Sequence, residues 1–179
     1  YTNRGETALN NFEQLAAFAK KEYGDVLIGA GTIKTKSDAA DFINAGADFI
    51  VSPGLNEDVV QLTHEHGLLC VPGCMTVTEI MKAESLNVLL VKIFPANILG
   101  ASFISSVKEI FPQLNFIPTG GVDTTQENLH SWFNAGAAAV GIGSKLIGKK
   151  FSLQTDFDAL EAAARLLLQT VQKIKAAHT

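Results

Sequence analysis

Short runs of β-branched and apolar residues, each closed by Gly, Pro or a hydroxyl residue and followed by a helix-like stretch, recur along the whole chain. They occupy residues 26–32, 49–54, 68–73, 88–95, 116–121 and 139–144. Their ends fall roughly 19 to 25 residues apart, the length of one strand plus one crossover helix with short loops. Residues 1–4 fit the tail of one more such strand.

Between the runs the spacing is helical. Ala8, Phe12, Leu15, Ala16 and Phe18 mark one apolar face, while Asp38, Asp41 and Asn44 mark a polar one. Ser37, Asn56, Thr76 and Thr125 stand where a side-chain oxygen caps the first turn of a helix, and residues 156–177 read as one long Ala- and Leu-rich helix. Strands that are apolar almost throughout, alternating with helices, predict an α/β fold with a parallel sheet covered by helices. Seven strands and about seven helices come close to a (β/α)8 TIM barrel, one βα unit short at the front. The open doubly wound sheet is the competing architecture. The barrel is preferred because no strand ends in G-x-G-x-x-G and because polar residues close many strands, whose ends converge on one mouth in a barrel. With 47% hydrophobic residues the 179-residue chain can bury a proper core and is expected to be one domain, 1–179.

A net charge of −4 with 18% charged residues argues against nucleic acid or an anionic membrane surface as a partner, so an anionic ligand has to be held locally. No apolar run reaches the length of a membrane span and no signal-peptide pattern is visible, which makes the cytoplasm the expected compartment. The two cysteines, Cys70 and Cys74, fit a reducing compartment. His64, His66, His130 and His178 lack a spacing that would complete a metal site with them, and no metal is expected.

One lysine sits in an otherwise apolar strand, Val88-Leu89-Leu90-Val91-Lys92-Ile93-Phe94-Pro95. Period-two alternation places Val88, Leu90, Lys92 and Phe94 on one face and Leu89, Val91 and Ile93 on the other. Burial disfavours an ammonium, which pulls the pKa down and brings the neutral amine within reach near neutral pH. Such an amine attacks a ketone to give a carbinolamine and then an iminium. On the strand alone, a lysine that snorkels its head out of the barrel end or pairs with a carboxylate is an equal alternative.

Two further segments suit an anion. Thr119, Gly120 and Gly121 close one strand, and Gly141-Ile142-Gly143-Ser144 closes the next and leads toward one short helical turn. Backbone N–H groups at such glycines approach a ligand oxygen with no Cβ in the way, and in barrels with phosphorylated substrates the loops after the last two strands hold the phosphate. The alternative is that these glycines only make tight turns. Arg4 and Thr32 close two other strands, and a guanidinium with a hydroxyl suits a carboxylate, although for Thr32 taken alone a cap or turn residue is the better reading.

In this order the segments Thr2-Asn3-Arg4-Gly5, Gly29-Ala30-Gly31-Thr32, Ser52-Pro53-Gly54, Val71-Pro72-Gly73, Val91-Lys92-Ile93-Phe94-Pro95-Ala96, Pro118-Thr119-Gly120-Gly121 and Gly141-Ile142-Gly143-Ser144 resemble the 2-keto-3-deoxy-6-phosphogluconate aldolases, a family that includes 4-hydroxy-2-oxoglutarate aldolases. The resemblance runs from Tyr1 to about Lys150. It implies a class I aldolase in which Lys92 forms a Schiff base, Arg4 and Thr32 hold the pyruvate carboxylate, and Pro53 lies along the pocket wall. Thr119, Gly120 and Gly121 would line the substrate, and Gly143 with Ser144 would receive the phosphate. It further implies reversible cleavage of the phosphogluconate to pyruvate and glyceraldehyde 3-phosphate, a homotrimer, and no cofactor. The family's general base is a glutamate two residues before the threonine of its Thr-x-Arg motif, which falls just ahead of Tyr1; Glu6 is not its equivalent, and the family's first βα unit is expected ahead of it. A phosphate-binding barrel of other chemistry, or a non-catalytic one, is the alternative to an aldolase.

Overall fold

A computed structural model describes residues 1–147 and 156–177, which fall in two compact units, Tyr1–Lys92 and Ile93–Thr179. The first unit runs α1 (Ala8–Glu22), β1 (Gly29–Gly31), α2 (Lys36–Asn44), β2 (Phe49–Val51), α3 (Glu57–Glu65), β3 (Leu69–Val71), β4 (Gly73–Cys74) and α4 (Val77–Ser85), and β5 (Leu90–Ile93) ends in the second. The second continues with α5 (Ala96–Leu99), α6 (Ala101–Ile110), β6 (Asn115–Pro118) and α7 (Gln126–Asn134). Residues 144–147 are helical, as the Gly143-Ser144 segment suggested, and α8 (Phe157–Ala176) closes the described chain. His178 and the last residues of the resemblance, 148–150, lie outside the described residues.

The alternation read from the sequence is an α/β fold with parallel strands. In the first unit β1, β2 and β3 form a parallel sheet in that order, with Ala30, Ile50 and Cys70 in register. All three are fully buried, whereas the other face carries half-buried Phe49 and Val51, which line an open cavity of about 300 Å³ with Gly29 and Gly31. β4 pairs with β5. The tail at residues 1–4 is reduced to a parallel bridge from Thr2 to Gly31, and the run at 139–144 to a bridge from Gly141 to Thr119. Strands are shorter than the apolar runs because the runs extend into loops: Val26 and Leu27 precede β1 and are exposed.

Two details of the helices differ from the sequence reading. Helix α1 buries Ala8, Phe12, Ala16 and Ala19, while Leu15 and Phe18 are exposed. At about 100° per residue, Phe18 stands roughly 120° around the helix from Phe12, too far to share its face. Phe12 instead meets Phe42 of α2 edge-on at 5.1 Å, and Phe18 meets Tyr23 at 5.9 Å. Helix α2 is capped by Thr35, whose Oγ1 accepts from the Asp38 N–H at 3.1 Å, and Ser37 lies inside the first turn. Asn56, Thr76 and Thr125 cap as expected, Thr76 through a reciprocal pair with Glu79. Asp156 caps α8.

Candidate active site

Parallel pairing puts the C-terminal ends of neighbouring strands at one end of a sheet, and the first unit shows this step by step. Asn3 N–H donates to the Gly31 carbonyl at 2.8 Å, Ile33 N–H to Val51 at 3.2 Å, Ser52 N–H to Val71 at 3.1 Å, and Lys92 N–H to Pro72 at 2.9 Å. Arg4, Thr32, Pro53 and Lys92 therefore all stand just past, or at, the ends of successive paired segments. Arg4 is exposed and Thr32 and Pro53 are half-buried.

Lys92 is only 9% exposed and is flanked by Val91 and Ile93, both fully buried. Burial lowers its pKa from the ordinary lysine value, because the ammonium loses hydration that the neutral amine does not need. A largely buried lysine with a lowered pKa thus stands in β5, in the apolar strand read from the sequence.

Thr32 carries a feature its identity does not advertise. Its φ is +65°, in the left-handed region, where a β-branched side chain is strained by an amount on the order of 1–3 kcal/mol. Such strain persists only where surrounding structure imposes it, and it clusters at functional sites. Gly73, in β4, packs so closely on the Pro53 carbonyl that no Cβ fits there. The glycine fixes the position of the Ser52-Pro53 turn.

In the second unit Thr119 N–H donates to Ile93 at 3.0 Å, the Thr119 carbonyl accepts from Ala96 N–H at 2.9 Å, and Gly141 N–H donates to Pro118 at 2.8 Å. The loops carrying Thr119-Gly120-Gly121 and Gly143-Ser144 are thereby set at neighbouring strand ends. Gly120 and Gly121 have φ of +89° and +77°, and the Asn97 side chain lies directly over Gly121. Gly143 and Ser144 are exposed, and the Gly143 carbonyl accepts from Leu146 and Ile147 N–H at 2.9 Å.

Sequence reading missed two members of this second group. Asn97 follows the lysine segment and its backbone N–H donates to Gly120 at 3.0 Å. Lys145, next to Ser144, pairs with Asp123 at 3.0 Å. The signal for that pair was opposite charges placed just beyond the two Gly-rich segments, but nothing in one sequence says that they meet. Cys70 and Cys74 are buried, and burial pushes their thiols to about 11 and about 12, so both behave as small core groups at neutral pH. Among the described residues no three His, Cys, Asp or Glu side chains gather as a metal site would need, and no helix is long and apolar enough to cross a membrane.

Residues 2–163 match the model of the KDPG and KHG aldolases. The chain belongs to that family. A 2-dehydro-3-deoxy-phosphogluconate aldolase of Treponema pallidum is 34% identical over 160 residues, covering 89% of this chain and 75% of the relative. A 2-dehydro-3-deoxy-6-phosphogalactonate aldolase of Escherichia coli is 32% identical over 171 residues, covering 93% and 82%. Among solved structures, the KDPG aldolase of Legionella pneumophila, with pyruvate captured as a covalent carbinolamine, aligns with a TM-score of 0.78 at 26% identity over 94% of this chain and 78% of that one. This aldolase chain thus shares both sequence and fold with enzymes of carbon–carbon cleavage.

Proposed function

We propose that this aldolase is of class I and cleaves 2-keto-3-deoxy-6-phosphogluconate to pyruvate and glyceraldehyde 3-phosphate, with Lys92 as the Schiff-base lysine on a (β/α) barrel of one domain. The observation that carries the reading is the buried, pKa-lowered Lys92 at the end of β5, in line with Arg4, Thr32 and Pro53. The covalent pyruvate carbinolamine in the Legionella relative supports the same chemistry.

The neutral amine of Lys92 adds to the C2 ketone, and loss of water leaves an iminium that accepts electrons. A general base takes the C4 hydroxyl proton as the C3–C4 bond breaks, its electron pair passing into an enamine. Protonation at C3 and hydrolysis release pyruvate and restore the amine. Arg4 and the Thr32 hydroxyl hold the carboxylate of the pyruvyl half. Thr119, Gly120 and Gly121 line the aldehyde half, and Gly143 with Ser144 binds its phosphate. 4-Hydroxy-2-oxoglutarate, cleaved to pyruvate and glyoxylate, is a second substrate that leaves the phosphate loops unused. The galactonate epimer is a second reading, supported by the Escherichia coli relative. The chemistry calls for no metal or other cofactor, and the reading takes the enzyme as a cytoplasmic homotrimer.

Pyruvate with borohydride tests the proposal. One reduced pyruvate adduct, mapping to Lys92 by peptide mass, is expected, and Lys92→Ala should lower turnover by roughly 10³- to 10⁶-fold, as loss of a covalent nucleophile does. A stable adduct on another residue, or none at all, overturns it.

A further inference from the structure

The loop after β6 and the segment after Gly141 are tied by one ion pair, Lys145 Nζ to Asp123 Oδ2 at 3.0 Å. An exposed pair of this kind ordinarily contributes little, because two long side chains must be ordered to make it. Here one partner is already held. The Asp123 backbone N–H donates to Asn128 Oδ1 at 2.8 Å, and Asp123 Oδ1 accepts from the Thr125 N–H at 3.2 Å. The same Asn128 Oδ1 accepts from Trp132 Nε1 at 3.0 Å, and Trp132 is buried in α7. The carboxylate is thus anchored through α7 to the core, and the lysine that reaches it is the residue after Ser144. The Lys145 ammonium, hydrogen-bonded to Asp123, also holds that carboxyl below the usual aspartate range, with the Thr125 N–H adding to the effect.

We infer that the Asp123–Lys145 pair positions the phosphate subsite, holding Ser144 at a fixed distance from the Gly120-Gly121 segment so that the phosphate and the aldehyde half it belongs to are met together. Lys145 acts through Ser144 and does not itself contact the phosphate, since its ammonium is engaged by Asp123. The inference rests on the reading of Ser144 as a phosphate-binding hydroxyl. Placement of a binding group matters steeply, whereas the pair's own worth to the fold is small.

The test compares kcat and KM on 2-keto-3-deoxy-6-phosphogluconate and on 4-hydroxy-2-oxoglutarate for Lys145→Met, Asp123→Asn, the charge swap Asp123→Lys with Lys145→Asp, Lys145→Arg and Ser144→Ala. Lys145→Met and Asp123→Asn should each raise KM for the phosphorylated substrate roughly tenfold, with the ratio of kcat/KM between substrates falling by the same factor. Lys145→Arg and the charge swap should restore most of it. Direct contact between Lys145 and phosphate would give a different pattern: Asp123→Asn would tighten binding, and the swap would be the worst variant. That outcome overturns the inference, as does an equal loss on both substrates. Ser144→Ala separates the two layers. If it fails to discriminate between the substrates, the phosphate reading itself falls; if it discriminates and Lys145→Met does not, only the positioning role falls.

Discussion

Lys92 N–H donates to the Pro72 carbonyl at 2.9 Å, and the next residue, Gly73, packs against the Pro53 carbonyl. The backbone that carries the candidate nucleophile is therefore paired beside a glycine of the preceding strand, β4. A Cβ at position 73 would meet the Pro53 carbonyl and its carbon, both backbone atoms that cannot rotate aside.

Gly73→Ala should therefore destabilise the fold by about 1–3 kcal/mol, the range for overpacking a filled site. It should also slow pyruvate trapping at Lys92, because the Pro72 carbonyl has to shift with its neighbour. Denaturant unfolding and the rate of borohydride inactivation check the two effects. Wild-type stability with wild-type trapping would show that the Ser52-Pro53 turn yields without cost.

Thr32 offers the opposite balance. With φ at +65°, a threonine is strained where glycine is not. Thr32→Gly should leave the fold as stable or slightly more so, since relief of roughly 1–2 kcal/mol of backbone strain outweighs the ~0.5–1 kcal/mol that glycine costs through the unfolded chain. If its hydroxyl binds the substrate carboxylate, the same change should raise KM for pyruvate about 10- to 100-fold, the worth of a hydrogen bond to a charged group. Thermal melts and pyruvate-dependent trapping separate the two. A large loss of stability would assign Thr32 to the fold and not to the ligand.

How much of this was readable beforehand depends on whether the cause was local. The βα repeat, the caps at Asn56, Thr76 and Thr125, and the burial of Lys92 follow from spacing and from the apolar company of β5. The lengths of the strands do not, because an apolar run such as residues 26–32 has no mark showing where pairing begins. Phe18 looked like core because hydrophobicity does not state a helix's rotation. At the candidate site the residue types were legible and the strain was not: threonine at 32 gives no hint of a left-handed φ. The Asp123–Lys145 pair joins residues far apart in sequence, and only the folded second unit shows that they meet.

The lowered pKa of Lys92 also makes a statement about stability. At pH below its folded pKa the side chain is charged in both states, and the fold bears the full cost of a poorly hydrated ammonium. As pH rises through that pKa toward the unfolded value of about 10.4, the folded lysine has lost its proton while the unfolded one keeps it. The unfolded state then binds more protons, so stability from this group rises with pH across that window and levels off above it. Lys92→Met removes the charge while keeping the length of the side chain. The variant should melt above wild type at neutral pH, by about 2–4 °C for each kcal/mol of penalty relieved in a chain of this size. The gap should narrow steadily as the pH is raised toward 10. Melts of both proteins from pH 6 to 10 measure it directly, and a gap that widens with pH would mean that Lys92 is stabilised in its charged form and unsuited to attack a ketone.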